Sequence, residues 1–507
     1  VAEKVQVKGE EPIRTKVFRQ WKGVNTRAAR NAIPDDTWYH LENMQSIGDA
    51  NVHSVPNISA ALHDYASDTI YWSQYVNVGG NDYLLSFSTG GKCFSWNIGS
   101  STSAQIASGL AGSGTRVAQW KNTDALFVDS TGYYYWDGTT FAAISGTGVP
   151  TSGTDIAVAF GRVWIVQGRL LTFSAANDYT ATGFLAANGA GSQALTDPTL
   201  RNTVVRLSAQ NGYLYIIGST SINAISDVYV PSGASPPTPV YTNLNIQAII
   251  GSDQPGSVFA LNQALMFANR YGAWALYGTN AKKISSDIDG TWQYLDFTKL
   301  ISGGQCVVNN ILCAGFLVKR LNDPVFGSNT VIAMFHDDKW FFANYGTLTF
   351  ITSAVANNIP VLFGFLGNKL YQLFSDTTTA PATKLITPLW PMDDNLADKQ
   401  VIRAGFEVTV SSFAGTFAMT VDTVNSQYAA VSLTNGGNVA WQNNAGTITQ
   451  WQNNTPVVVN WFSAAYLLYN ASAPGTYGKY VGLTISASGS AYQFSATDMD
   501  YKLGARW

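Results

Sequence analysis

Any chemistry in this 507-residue chain would have to be built from four histidines, three cysteines and a carboxylate set almost without glutamate. His40, His53 and His63 share one N-terminal stretch, and successive ones are at least ten residues apart, too wide for a local metal-ligand pair. His63-Asp64 and His336-Asp337-Asp338 could each orient a base, yet no G-x-S-x-G nucleophile turn accompanies them. Both read as strand ends and turns. Glycosidic cleavage needs two carboxylates flanking the bond. Glutamate occurs only at Glu3, Glu10, Glu11, Glu42 and Glu407, so aspartate alone could supply that pair over most of the chain. Cys93, Cys306 and Cys313 are few and odd in number, which gives no disulfide framework. The glycine pairs Gly79-Gly80 and Gly90-Gly91 lie in turns, with no Lys-Ser/Thr entering a helix as a phosphate loop requires. The expectation is a chain that is not an enzyme, with no catalytic residue, no cofactor and no metal.

Two further segments invite a chemical reading. Ser285-Ser286-Asp287-Ile288-Asp289-Gly290-Thr291-Trp292 resembles the Asp-box turn of sialidases, but Gly290 stands one residue late. As a calcium loop it fails too, since the sixth position from Asp287 is Trp292, where glycine is needed. It reads as a structural turn. Tyr133-Tyr134-Tyr135-Trp136 could stack on sugars, but half of such a run must face a core, so packing is its main expected role.

The elements that would position these residues are strands. Tyr 25, Phe 25, Trp 15 and abundant Val, Ile and Thr favour pleated, half-buried surfaces, while strong helix formers are scarce. The fold class is all-β. At 46% hydrophobic the chain is globular, but its 12% charged residues are about half the ~25% of ordinary soluble domains. A surface that poor in charge suits burial against neighbouring subunits. A secreted β-protein clothed in Ser, Thr, Asn and Gly is the alternative. The net charge of −3 argues against nonspecific nucleic-acid binding, which needs phosphate-neutralising Lys and Arg. No apolar run approaches the ~18–20 residues of a membrane-spanning helix. The charged N-terminus lacks a signal peptide's apolar region, and with so few cysteines this fits assembly in a reducing cytoplasm.

Three regions separate along the chain. Residues 1–60 begin with a basic arm, in which Lys4, Lys8, Arg14, Lys16, Arg19, Lys22, Arg27 and Arg30 outnumber Glu3, Glu10 and Glu11. The arm is expected to order on a partner or to be a solvated terminus, and residues 1–60 to pack with the C-terminal domain. Residues 61–385 repeat an apolar run, a Gly/Asn/Asp turn and a second apolar or aromatic run. Copies begin at positions 82, 124, 161, 212, 263, 330 and 368, so they are 42, 37, 51, 51, 67 and 38 residues apart. Each is a hairpin signal. Periods near ~40–50 residues with a hairpin each match four-stranded propeller blades. The expectation is a six- or seven-bladed β-propeller with insertions between blades, such as the proline-rich segment from Pro231. A sandwich with long loops is the alternative. Residues 386–507 alternate as in GFEVTV from Gly405 and carry the amide-rich WQNNAG from Trp441 and WQNNTP from Trp451, which reads as a β-sandwich-like domain.

The N-terminal segment carries a family resemblance. Gly23-Val24-Asn25, then IPDDTWYHLENM from Ile33 to Met44 with Trp38, Leu41, Glu42 and Asn43, then IGDANVHSVP from Ile47 to Pro56, resemble the opening of podovirus tail nozzle, or packaged-DNA stabilisation, proteins. Those begin with a G-x-N element, an acidic residue ahead of a hydrophobic stretch, an E/N-N-x element and a strand ending in Pro-Gly. Here Asn57 stands where that glycine often falls. The stretch from Leu389-Trp390-Pro391 through Arg403-Ala404-Gly405 and Phe406 is similar but less specific. Strong resemblance covers about 60 residues.

The resemblance implies a virion tail protein, made in the bacterial host cytoplasm and assembled as a homo-oligomer, a hexameric ring below the head-to-tail adaptor. Tail fibres, tailspikes or a tail plug would dock on it, and genomic DNA would pass through its lumen without specific binding. Residues 61–385 hold 16 basic and 18 acidic residues, which suits a conduit that does not grip phosphates. Arg14, Arg19, Arg27 and Arg30 are the candidate adaptor contacts. The alternative function is a carbohydrate-binding or glycan-cleaving propeller for host-surface recognition, and a third possibility is a bacterial surface or secreted scaffold.

Overall fold

The computed structural model describes residues 11–200, 203–409, 415–424, 427–434 and 467–504; the two amide-rich stretches and the basic residues Lys4 and Lys8 fall outside them. The chain folds into two compact units. A terminal unit gathers Val1–Asn57, Asp338–Asn344 and Asp376–Trp507, and a central unit comprises Ile58–Asp337 and Tyr345–Ser375. Nearly all regular structure is strand, and among the described residues the one α-helical turn is Asp289–Trp292.

The central unit is a series of antiparallel meanders in which each strand pairs with the next in sequence. Four-stranded sheets start with Ile70–Val78, Arg116–Trp120, Asp155–Ala159, Val204–Gln210 and Phe259–Leu261. A sixth group is Ser302–Val308, Ile311–Lys319 and Thr330–His336. The seventh is Leu348–Ala356, Ile359–Leu366 and Lys369–Gln372, completed by His63–Asp64 from the beginning of the unit. Each sheet is open-edged. Two-residue turns in the left-handed region close the tight hairpins, at Gly79-Gly80, Asn309-Asn310 and Asn357-Asn358. Their twist matches the strands, and Gly and Asn tolerate positive φ at low cost.

Both faces of the inner strands of these sheets are buried, which explains why those strands read as continuous apolar runs rather than alternating ones. Neighbouring residues point to opposite faces, so Val117 and Phe127 pack with the first sheet while Ala118, Leu126 and Val128 pack with the third. Trp164 and Val166 likewise meet Leu214 and Ile216 of the fourth sheet, whose Tyr215 and Ile217 turn to Leu265 and Phe267 of the fifth. Phe259 of the fifth meets Phe316 of the sixth at 5.2 Å. The backbone N–H of Ile351 in the seventh donates to Ser302 Oγ of the sixth. Finally, Phe350, Phe363 and Phe365 of the seventh share one core with Trp72, Leu84 and Phe87 of the first.

Two expectations need correcting. The proline-rich segment from Pro231 is no insertion between sheets: it joins Ile222–Tyr229 to Val240–Gln247 within the fourth, with Tyr229 opposite Val240. The repeat also has a copy that composition did not reveal. Ser302–Val308 and Ile311–Lys319 form a hairpin around Asn309-Asn310, so the 67-residue gap hides one sheet start. Its glycines, Gly303, Gly304 and Gly315, sit where a Cβ would clash with Phe259, Ser353 and Met334, and they dilute the apolar signal.

The terminal unit is assembled from distant segments. Met44–Ile47, Asn51–Ser54, Gln493–Leu503, Lys399–Thr409 and Leu467–Gly478 form one sheet, and Arg14–Phe18 adds to Gln493–Leu503. A second set of strands runs Lys339–Ala343, His40–Glu42, Thr379–Ile386, Val481–Ser490, Gly415–Thr423 and Gln427–Thr434. Aromatic rings from the two sets meet, Phe406 with Phe417 at 5.4 Å and Phe417 with Tyr492 at 5.1 Å. The segment 338–344, inside the span 61–385, thus lies with the termini.

Candidate functional site

The residues that carry the family resemblance converge on one place, a clasp around Asp338–Asn344. Trp21 and Trp38 stack at 4.2 Å, and both meet Phe494 edge-to-face at 5.6 and 5.5 Å. This aromatic stack fixes the two ends of the loop between them. Gly23 passes so close to the captured segment that a Cβ would stand 2.6 Å from the Trp340 nitrogen. The backbone N–H of Val24 then donates to Trp340 O at 2.8 Å, and that of Asn25 to Trp38 O at 2.7 Å. The G-x-N element is therefore a close-approach element: glycine admits the neighbour, Val24 bonds it, and Asn25 ties the loop back to Trp38.

Asn43 is the second anchor. Its φ of +58° is left-handed, a region asparagine adopts at lower cost than alanine. Its side chain bonds on both sides: Nδ2 donates to Ala382 O at 2.6 Å, and Oδ1 accepts from the Asn344 backbone at 2.7 Å. Glu42 accepts from Asn344 Nδ2 at 3.2 Å and pairs with His40 Nε2 at 3.2 Å. Leu41 is fully buried opposite Leu385. His40 stacks on Phe342 at 5.4 Å, so it belongs to this packing.

The four arginines separate into two kinds. Arg30 is an internal residue. Its Nη2 donates to Asp422 at 2.7 Å and its Nε to Thr387 O at 2.8 Å, while Thr420 and Thr484 complete the shell of the fully buried Asp422. Burial pulls the Arg30 guanidinium down, and Asp422 offsets part of that. Arg14 is half-exposed and bonds Asp393 at 3.1 Å, a carboxylate that also accepts from Tyr501 at 2.7 Å. Those hydrogen bonds from Tyr501 and Arg14 hold Asp393 below the usual carboxylate range. Arg19 keeps 70% of its side chain exposed, 3.8 Å from Glu407, and Arg27 is exposed beside Asn25. From residue 14 onward the arm is ordered on its own chain: Arg14–Phe18 pairs with Thr497–Tyr501, and Phe18 stacks on Trp390 at 3.8 Å. Only Arg19 and Arg27 of the four present a largely exposed cation.

The chemical candidates lie on strands and in turns. Ser285 Oγ accepts from the Ala273 backbone and Trp292 Nε1 donates to Asn269 O, which ties the Asp-box-like segment to the fifth sheet. His53 and His63 are both lowered by burial, and His336 is buried beside Asp337 at 3.5 Å. The three cysteines are buried, and burial pushes their thiols up, which suppresses thiolate chemistry. Among the described residues no group of His, Cys, Asp or Glu is arranged to hold a metal. Tyr133 and Trp136 are buried and Tyr134 and Tyr135 half-buried. Tyr133 and Tyr134 line an open cavity of about 160 Å³ with Thr131, Ser145 and Thr151.

Sequence reasoning missed a recurrent turn, Asp-x-Thr. Asp129, Asp178, Asp197, Asp296 and Asp376 each accept, through one carboxylate oxygen, both the N–H and the hydroxyl of the threonine two residues on. Its spacing was visible, but no chemistry drew attention to it. No family model matches this chain, and no curated protein matches it significantly.

Proposed function

We propose that this protein is a structural subunit of a short-tailed bacteriophage tail, a nozzle protein working in a six-membered ring below the head-to-tail adaptor. The central unit is read as a seven-bladed β-propeller, its last blade closed by His63–Asp64. The shared core of the first and last sheets supports that reading. The observation that carries the functional proposal is the clasp. Of the residues of the nozzle resemblance, Gly23, Val24, Glu42 and Asn43 meet one mid-chain segment, while Asn25 is tied to Trp38 and Leu41 packs opposite Leu385. A motif so committed to architecture favours a building block over an enzyme. In the virion the ring retains packaged DNA and forms the channel for its ejection. The sparse charge suits both roles, because ring interfaces bury uncharged surface and a conduit must not bind phosphates. Arg19 and Arg27 are the arm residues available to the adaptor.

Light scattering after size-exclusion chromatography, alone and with the adaptor ring, tests this. Six-fold assemblies on the adaptor are expected. A strict monomer at all concentrations that also ignores the adaptor would sink the proposal. The cavity beside Tyr134, with aromatic walls and hydroxyls, favours glycan recognition as the second reading. A glycan array reports on it independently, since ring assembly does not require sugar binding.

A further inference from the structure

One charged cluster in the central unit, packed beside the core residue Trp72, is not used by the proposed assembly. The first strands of four consecutive sheets bring Trp72, Arg116, Asp155 and Arg206 together. Arg116 and Asp155 open their strands, while bulges after Ile70 and Val204 skip one residue and re-aim Trp72 and Arg206 to join them. The Arg116 guanidinium lies 3.9 Å over the Trp72 ring and that of Arg206 at 5.1 Å.

The charges do not balance. Asp155 is fully buried and already committed: Oδ1 pairs with Arg206 Nη1 at 3.2 Å, and Oδ2 accepts the Leu207 N–H at 2.5 Å. Arg116 donates from Nη1 to Thr115 O at 3.0 Å, its buried Nε donates to nothing, and no described carboxylate lies within ion-pair distance. Two cations thus share one anion and one indole face. An indole prefers a cation, but a second like charge nearby is a cost in a partly dry site. Burial, more than any neighbour, pulls Arg116 down to about 10, so it is still charged at neutral pH.

We propose that this cluster binds a small oxyanion, a phosphate or carboxylate group, between Arg116 and Arg206 beside Trp72. Such an anion supplies the missing acceptor for Arg116 and neutralises the excess charge. Arg206 and Asp155 hold the site in shape, and Arg116 is the ligand-binding residue.

Calorimetric titration of the intact protein with sodium phosphate, and separately with sodium acetate, against sodium chloride at equal ionic strength, tests the assignment. Saturable binding of phosphate or acetate is expected, and which of them saturates identifies the anion. Arg116→Gln should weaken it at least about tenfold, since a hydrogen bond to a charged group is worth that much. Arg270→Gln, at an exposed arginine elsewhere in the unit, should leave it unchanged. Failure of both anions to saturate below on the order of 10 mM would overturn the proposal, as would full affinity in folded Arg116→Gln. A measurement free of variants is phenylglyoxal modification of the wild type read by mass spectrometry. Phosphate or acetate should protect Arg116 and not Arg270, and equal labelling of Arg116 with and without them counts against the site.

Discussion

The two units of this protein solve the same problem in opposite ways. In the central unit every sheet but the seventh, which takes in His63–Asp64, is cut from one stretch of chain, and stability comes from stacking apolar faces: Trp164 toward one neighbour, Val163 and Ile165 toward the other. In the terminal unit most pairings join strands far apart in sequence, and among the described residues only two hairpins pair sequence neighbours. Arg14–Phe18 meets the far end of the chain at Thr497–Tyr501, and His40–Glu42 inserts beside Lys384–Ile386. Stacked local sheets need only generic hydrophobic faces. Long-range pairing needs specific polar fasteners such as Asn43 and Arg30, because loop-closure entropy opposes it until those contacts form. The lesson is that polar side chains bonded across long stretches of chain mark the non-local joints.

The strongest way to break this contrast is to empty each unit's fastener in turn. Trp164→Ala should cost the central unit about 3–5 kcal/mol through a large cavity. Arg30→Ala should cost the terminal unit a comparable ~3–5 kcal/mol by stranding buried Asp422. Hydrogen exchange should show the loss confined to the mutated unit each time. Equal deprotection of both units by either variant would mean that they unfold as one.

A smaller effect is expected at Asn43. Asn43→Ala combines a left-handed alanine with the loss of the side-chain hydrogen bonds, about 2–4 kcal/mol in all, whereas Asn43→Gly relieves the backbone strain and should recover roughly 1 kcal/mol. Urea denaturation of the pair separates conformational from hydrogen-bonding cost. Identical midpoints would show that the left-handed backbone contributes nothing.

Acid sharpens the comparison further. Hydrogen bonds from Thr378 and Thr379 hold Asp376 at about 2. Burial would raise Asp197, but bonds from Thr199, Asn245 and Asn223 together outweigh it and hold it at about 2. Carboxylates depressed in the folded state stabilise it above the unfolded value of ~3.9, and that contribution disappears as pH falls from about 4 toward 2. The thermal midpoint should fall across that window. The loss should be smaller in Asp376→Asn, which keeps a turn acceptor without a titrating group. The smallest structural effect belongs to Arg19→Ala and Arg27→Ala, exposed changes expected to stay within about 0.5 kcal/mol in stability. If the arm docks on the adaptor, they weaken ring attachment all the same, and undiminished attachment would remove them from that role.

Much of the central unit was legible because turn and strand signals there are local. Asn211-Gly212 and Gly79-Gly80 sit between apolar runs and became hairpins. The sheet beginning at Ser302 escaped because its close-packed glycines look like loop, and a glycine's value there depends on what presses against it. In the candidate site, the positions of Gly23, Asn25 and Asn43 were visible as a motif, but the segment they hold was not. Arg30 looked like its neighbours in a basic arm, yet its partner Asp422 is 392 residues away.

Composition and periodicity by themselves determined the all-β class, the repeating hairpins and the poverty of charge, since strand propensity, turn chemistry and hydrophobic spacing act over a few residues. Tertiary structure alone decided which arginine is buried, which segment the clasp closes on, and that Trp72, Arg116, Asp155 and Arg206 meet. Those outcomes depend on burial and charge pairing between residues far apart in sequence, and no local pattern encodes which partner will be there.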